Sequence, residues 1–192
     1  MQKEKFTVAV IVGSLRAASL SLKMADFLCN QQYRLLALQI IPINDLSLYN
    51  EDRETAQPPR AWQKFRDCIR EQDAVLFITP EYNRSVPAAL KNAVDIGSAP
   101  HGHNVFRNKP AAIISLSPGK MGAFGANHHL RQSLVFLDMP TLQQPEAYIG
   151  NSEALFTTAG TMTDGHTRDY LAGFMDAFAG WISRHTQAKP GR

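Results

Sequence analysis

The chain has 192 residues, 44% of them hydrophobic and 19% charged, enough for one full hydrophobic core and short for two. Its formal net charge is +3 with the basic residues scattered, which argues against a nucleic-acid-binding stripe and suits a small phosphorylated ligand. No apolar run approaches the roughly 20 residues that span a bilayer, and the two cysteines, Cys29 and Cys68, form neither a CxxC pair nor a metal cage, so one domain over 1–192 in a reduced, cytoplasmic setting is expected.

The opening MQKEKFTVAVIVG has a charged head, but its apolar stretch is only about seven residues, β-branched and without a small-residue cleavage site, so Phe6–Val12 reads as a first strand. A helix is predicted over 19–31 with Ser19 as an N-cap, then a strand over 35–41 and a long polar loop over 43–59. A helix over 60–71 leads to the strand Ala74–Thr79, and Pro87 suits the first turn of a helix over 87–96. The loop 97–109 precedes the strand Ala111–Leu116. A helix over 126–137, a short fifth strand near Thr141 and a last helix over 163–185, with Thr163 and Asp164 offering capping oxygens, complete the chain.

This alternation predicts an α/β fold with a parallel sheet covered on both faces. The runs VAVIV and AVLFI are apolar at successive positions, as strands buried on both sides are. Five strands in this order fit either a flavodoxin-like or a dinucleotide-binding arrangement, and both place ligands beyond the carboxyl ends of the strands. The loops that matter are then GSLRAASLS, PEYNRSVP and SPGKMGAFGA.

In the first loop, the N-terminus of the following helix offers backbone N–H groups and a favourable dipole to a phosphate, Ser14, Ser19 and Ser21 add hydroxyls, and Arg16 adds a charged planar fork. The pattern GxGxxG fails at Leu15 and Ala18, and GxxxxGK fails at Ala18 and Ser19. A terminal monophosphate therefore suits this loop better than a pyrophosphate. An ordinary turn capped by Ser19 is the plainer reading. In the second loop, Pro80, Glu81, Tyr82 and Asn83 place a ring and an amide at a strand end, where they could border a flat conjugated ligand or simply form a turn. The third supplies Ser117, Pro118 and Gly119, with Gly122 and Gly125 permitting unusual backbone angles.

Together GSLRAAS, NDLSLYNED, TPEYNRSVPAALKNAVD, the 117–122 loop, HHLRQSLVFLDM with QQPE, and DYLAGFMDAFAGWI resemble the NADPH-dependent FMN reductase family, which includes quinone, azo-dye and chromate reductases. The resemblance implies a flavodoxin-like three-layer sandwich with a five-stranded parallel sheet in the order 2-1-3-4-5. It implies bound FMN, with Ser14, Arg16, Ser19, Ser21 and the backbone at Leu20 around the phosphate, Pro80, Glu81, Tyr82 and Asn83 bordering the ring and ribityl chain, and Ser117, Pro118 and Gly119 along the other side. It also implies ping-pong transfer from NADPH or NADH through flavin N5 to flavin, quinone, azo or metal-oxyanion acceptors, with no catalytic protein side chain. A homodimer or homotetramer is implied, with the segment 134–139 offering an apolar surface.

The chain departs from relatives at Ser21, where many carry Asn, at Arg84, where many have Gly or Tyr, and at Gly125 and His128, where an Arg and a Tyr are frequent. His101 and His103 lack carboxylate or cysteine partners and read as part of a solvated loop lid rather than as metal ligands. Ser117 lacks the GxSxG context of a hydrolase elbow. Two other readings of the fold are an electron carrier of flavodoxin type, which the basic charge disfavours, and a redox-sensing interaction protein.

Overall fold

The computed structural model describes residues 5–158 and 160–186. Five strands, β1 (Phe6–Val12), β2 (Leu36–Ile40), β3 (Ala74–Thr79), β4 (Ala111–Leu116) and β5 (Ala147–Ile149), alternate with five helices. These are α1 (Leu20–Cys29), α2 (Arg60–Arg70), α3 (Ala88–Ser98), α4 (Phe124–Phe136) and α5 (Gly165–Thr186). The sheet is wholly parallel, in the order β2-β1-β3-β4-β5, with Val12 beside Ile78 and Ile114 beside Ala147. This is the flavodoxin-like order that the resemblance implied.

The burial of the strands follows from their cover. Every residue of β3 and β4 is buried, because α1 and α5 pack on one face, with Val8, Val10, Leu76 and Ile114, while α2, α3 and α4 pack on the other, with Ile11, Phe77 and Ile113. β2, at the sheet edge, alternates instead. Trp62 lies fully buried in the second core, and its indole Nε1 donates to the Ser47 carbonyl at 3.1 Å.

The fifth strand lies farther along than expected. Around Thr141 the chain makes a single bridge to Ala111: the Ala111 N–H donates to the Pro140 carbonyl and the Leu142 N–H to that of Ala111. Pro145 has no N–H to offer, and pairing resumes only at Ala147. The final helix starts two residues later than expected, with Asp164 as its cap, its Oδ1 accepting from the Thr167 N–H at 2.8 Å.

The 97–109 loop is not a lid. It runs from α3 into β4, so it lies at the amino ends of the strands, opposite the end where the three ligand loops emerge. The loop is also stapled down: the Phe106 ring occupies the space a β-carbon on Gly97 would enter, 2.3 Å away, and the Val105 N–H donates to the Gly97 carbonyl. His101 and His103 are exposed, and among the described residues no three His, Cys, Asp or Glu side chains gather as metal ligands. Among them, too, no helix is long and apolar enough to cross a membrane.

Phe106→Ala removes the ring that fills the space beside Gly97 in the second core. It is expected to lower unfolding free energy by about 3–5 kcal/mol with little change in denaturant slope. Urea denaturation of the two proteins checks this, and a loss below about 1 kcal/mol would contradict the staple.

Candidate functional site

The first loop leaves β1 through Gly13, whose N–H donates to the Ile78 carbonyl at 2.8 Å. Ser19 then caps α1: its backbone is extended, and its Oγ accepts from the Leu22 N–H at 2.9 Å. Capping uses that hydroxyl as an acceptor, so its proton stays available to a ligand oxygen, and the plainer reading of Ser19 is compatible with the functional one. The N–H groups of Leu20 and Ser21 precede the first intrahelical bond and meet no acceptor among the described residues. Ser19 and Ser21 are buried, whereas Arg16 is exposed.

The second loop is a tight hairpin. Tyr82 and Ser85 exchange backbone hydrogen bonds at 3.1 and 2.9 Å around Asn83 and Arg84, which both have left-handed backbones, φ 51° and 63°. That is a two-residue turn of type I′, in which Asn is favoured first and Gly second, so Arg84 stands where a Gly would fit with less strain. The Tyr82 ring is half exposed, and Asn83 sits at the exposed tip, off the cavity.

The third loop is fastened to the exit of β5. Ser117 N–H donates to the Ile149 carbonyl, Ser152 N–H to that of Ser117, and Asn151 N–H to that of Gly119. The Ser117 hydroxyl donates to the Gly119 carbonyl at 3.0 Å. Gly122, at φ +56°, lies so close to Tyr148 that a β-carbon would come within 2.5 Å of its carbonyl carbon. Beneath the loop, the Ser115 hydroxyl donates to the Gly122 carbonyl and receives the Asn127 amide.

These loops enclose one cavity of about 280 Å³. Ser14, Arg16, Ser19, Leu20 and Ser21 line it from the first loop, Pro80, Glu81 and Tyr82 from the second, and Leu116, Ser117 and Pro118 from the third. Gly119 is outside this lining, with its carbonyl occupied by Ser117 and Asn151. Ala18 and Glu153 line it too, although the sequence pointed to neither. A larger hollow of about 630 Å³ lies between α1 and the approach to α5, lined by Lys23, Asp26, Thr161 and Arg168 among others. It is the less suitable ligand site, because none of the described residues lining it stands at a strand end, where an open parallel sheet takes its ligands.

His128 and His129 do not line the cavity. The Nε2 of His128 is 3.0 Å from the Tyr148 hydroxyl with its ring on Phe124, and His129 Nδ1 is 2.9 Å from the Ser85 hydroxyl. Burial, then Glu146, pushes the Tyr148 phenol up to about 12. Within the segment 134–139, Leu134, Leu137 and Met139 are core residues, and the apolar surface consists of Val135 and Phe136.

The model of one family, NADPH-dependent FMN reductase, matches residues 6–154. A quinone reductase of Pseudomonas putida is 55% identical over 177 residues, covering 92% of this chain and 95% of its own. A 2-hydroxy-1,4-benzoquinone reductase of Burkholderia is 39% identical over 175 residues, covering 91% and 95%. Among solved structures, a flavoenzyme NAD(P)H:(acceptor) oxidoreductase of Paracoccus denitrificans superposes with a TM-score of 0.85 at 41% identity, over 94% of this chain and 98% of its own.

The cap at α1 yields its own expectation. In ligand-free protein Ser19→Ala should lower unfolding free energy by about 1 kcal/mol and Ser19→Gly by only about 0.3 kcal/mol. Urea denaturation at neutral pH checks the pair, and equal losses would mean that the cap bond is not what Ser19 contributes.

Proposed function

The chain belongs to the NADPH-dependent FMN reductase family, and on that premise we propose that it is an FMN-containing, NAD(P)H-dependent oxidoreductase whose main acceptors are quinones. The observation that carries this is the open first turn of α1. The backbone N–H groups of Leu20 and Ser21, without acceptors among the described residues, lie with Ser14, Ser19 and Arg16 at one end of the cavity shared with Tyr82 and Ser117. This donor set fits a phosphate dianion: hydroxyls and N–H groups can surround its oxygens while Arg16 offsets its charge. Pro80, Glu81 and Tyr82 on one side, with Ser117 and Pro118 on the other, would border the ring.

When bound, FMN supplies the two-electron chemistry, so the protein needs neither a nucleophile nor an acid–base pair. The half-exposed Tyr82 leaves the cavity open on one side. There donor and acceptor take turns in a ping-pong order, and an opening of this kind also admits free flavins, azo dyes and metal oxyanions. Quinones come first because the relatives at 55% and 39% identity are named for them. The reading as a redox-sensing interaction protein calls for a degenerate phosphate loop, and the presence of Ser14, Arg16 and Ser19 along the cavity speaks against it. A cytoplasmic homodimer or homotetramer completes the proposal, with Val135, Phe136 and Phe124 exposed on α4 for its contacts.

Anaerobic titration of the FMN-loaded protein with NADPH and NADH, followed by reoxidation with a benzoquinone, tests this reading. Bleaching of the yellow colour by a nicotinamide and its recovery with quinone are expected, and Arg16→Ala should raise the Kd for FMN about tenfold. Protein that binds no flavin, or loaded protein that oxidises neither nicotinamide, would contradict it.

A further inference from the structure

Glu81 lines the cavity, yet its carboxylate is engaged elsewhere. Oε2 accepts the backbone N–H of Ala126 at 3.0 Å, in the first turn of α4. Oε1 lies 3.6 Å from the Arg84 guanidinium, and the carboxyl side chain is only 14% exposed. The helix needs this acceptor: the residue at its N-cap, Ala123, has a left-handed backbone and no side-chain oxygen to give. A carboxylate is also the favoured partner for the positive end of a helix dipole.

The contact is possible only because residue 125 is glycine. A β-carbon there would lie 2.8 Å from the Arg84 carbonyl and 2.9 Å from Glu81 Oε2, so any side chain pushes hairpin and helix apart. The helix itself is immobilised from behind. Its Asn127 is buried and donates to Ser115 of β4, and Leu130 and Leu134 lie in the core. The hairpin at 82–85, with two left-handed residues in its turn, thus rests on a rigid support through the Glu81 carboxylate at its base and a side-chain contact of Ser85 with His129 at its far end.

We propose that Glu81 is a positioning residue: its carboxylate, docked on the N-terminus of α4, holds the Tyr82–Ser85 hairpin at the edge of the cavity. Gly125 is its necessary counterpart. The inference rests on the flavin reading only for what the hairpin borders; the docking itself does not. It also directs the negative charge of Glu81 towards α4 and Arg84 instead of into the cavity.

Two measurements on Glu81→Ala, Glu81→Gln and Gly125→Ala test it. In flavin-free protein, the rate of tryptic cleavage after Arg84, followed by mass spectrometry, should rise about fivefold or more in Glu81→Ala and Gly125→Ala, because the hairpin is released. In Glu81→Gln, whose amide oxygen can still accept the Ala126 N–H, it should stay within about twofold of the parent. The Kd for FMN should rise about tenfold in the two Ala variants, with altered visible circular dichroism of the bound flavin, and be largely retained in the Gln variant. Ala variants that match the parent in both measurements, or a Gln variant as damaged as Glu81→Ala, would overturn the proposal. If the parent binds no FMN, the functional reading fails, while the cleavage rates still decide whether Glu81 holds the hairpin.

Discussion

The ends of β1 and β3 touch at Gly13, and the geometry of the whole ligand end depends on that contact. A β-carbon at residue 13 would lie 2.8 Å from the Thr79 hydroxyl and 3.3 Å from the Pro80 ring, so any other residue separates the two strand ends. From this point the chain diverges. β1 continues into α1 on one face of the sheet, and β3 continues by way of the hairpin into α3 on the other. A crevice opens wherever neighbouring parallel strands send their crossovers to opposite faces. Here its floor is the Gly13–Thr79 contact and its two sides are the first turn of α1 and the Tyr82 hairpin.

The third side of the crevice is held more firmly than the first. Ser117, Gly119, Gly122 and Gly150 press the β4 loop against the exit of β5, where a β-carbon on Gly150 would come within 2.6 Å of the Lys120 carbonyl. Behind that loop runs a buried chain of polar contacts. Arg131 donates to Asn127, Asn127 to Ser115 and Ser115 to the Gly122 carbonyl. Every member has a partner, which makes such a network rigid and costly to disturb. The first loop is different: residues 15–18 are exposed and Ser14 accepts only a long bond from the Arg16 N–H. An anion bound there would supply acceptors that the chain itself leaves out.

Much of this was legible in the sequence, and what was legible shares a cause. β1, β3 and β4 announce themselves as continuous apolar runs because both faces are covered, and Ser19 announces α1 because a cap has a local signature. The three loops could be placed at one end of the sheet from the alternation of strands and helices alone. β5 was harder, because three residues at an edge, reached only after the prolines at 140 and 145, carry almost no periodicity. Glu153 was lost with it, since its place beside Ser117 depends on where β5 ends. The HGH segment has the composition of a solvated lid, but its position between a helix and the next strand puts it at the other end. Glu81 stood out only as a member of the second loop, and its docking on α4 had no local signal: the carboxylate is explained by Gly125, some forty residues on, where a missing side chain lets α4 approach.

In the function proposed above, the first turn of α1, with Ser14, Arg16, Ser19 and Ser21, grips a terminal monophosphate and not a pyrophosphate or a bare flavin ring. Parallel calorimetric titrations of the flavin-free protein with FMN, riboflavin and FAD test it most directly. A clear preference for FMN is expected, with riboflavin and FAD each bound about 100-fold more weakly or worse. Riboflavin binding as tightly as FMN would contradict it, because the phosphate would then contribute nothing and the loop at Gly13 would be an ordinary capped turn.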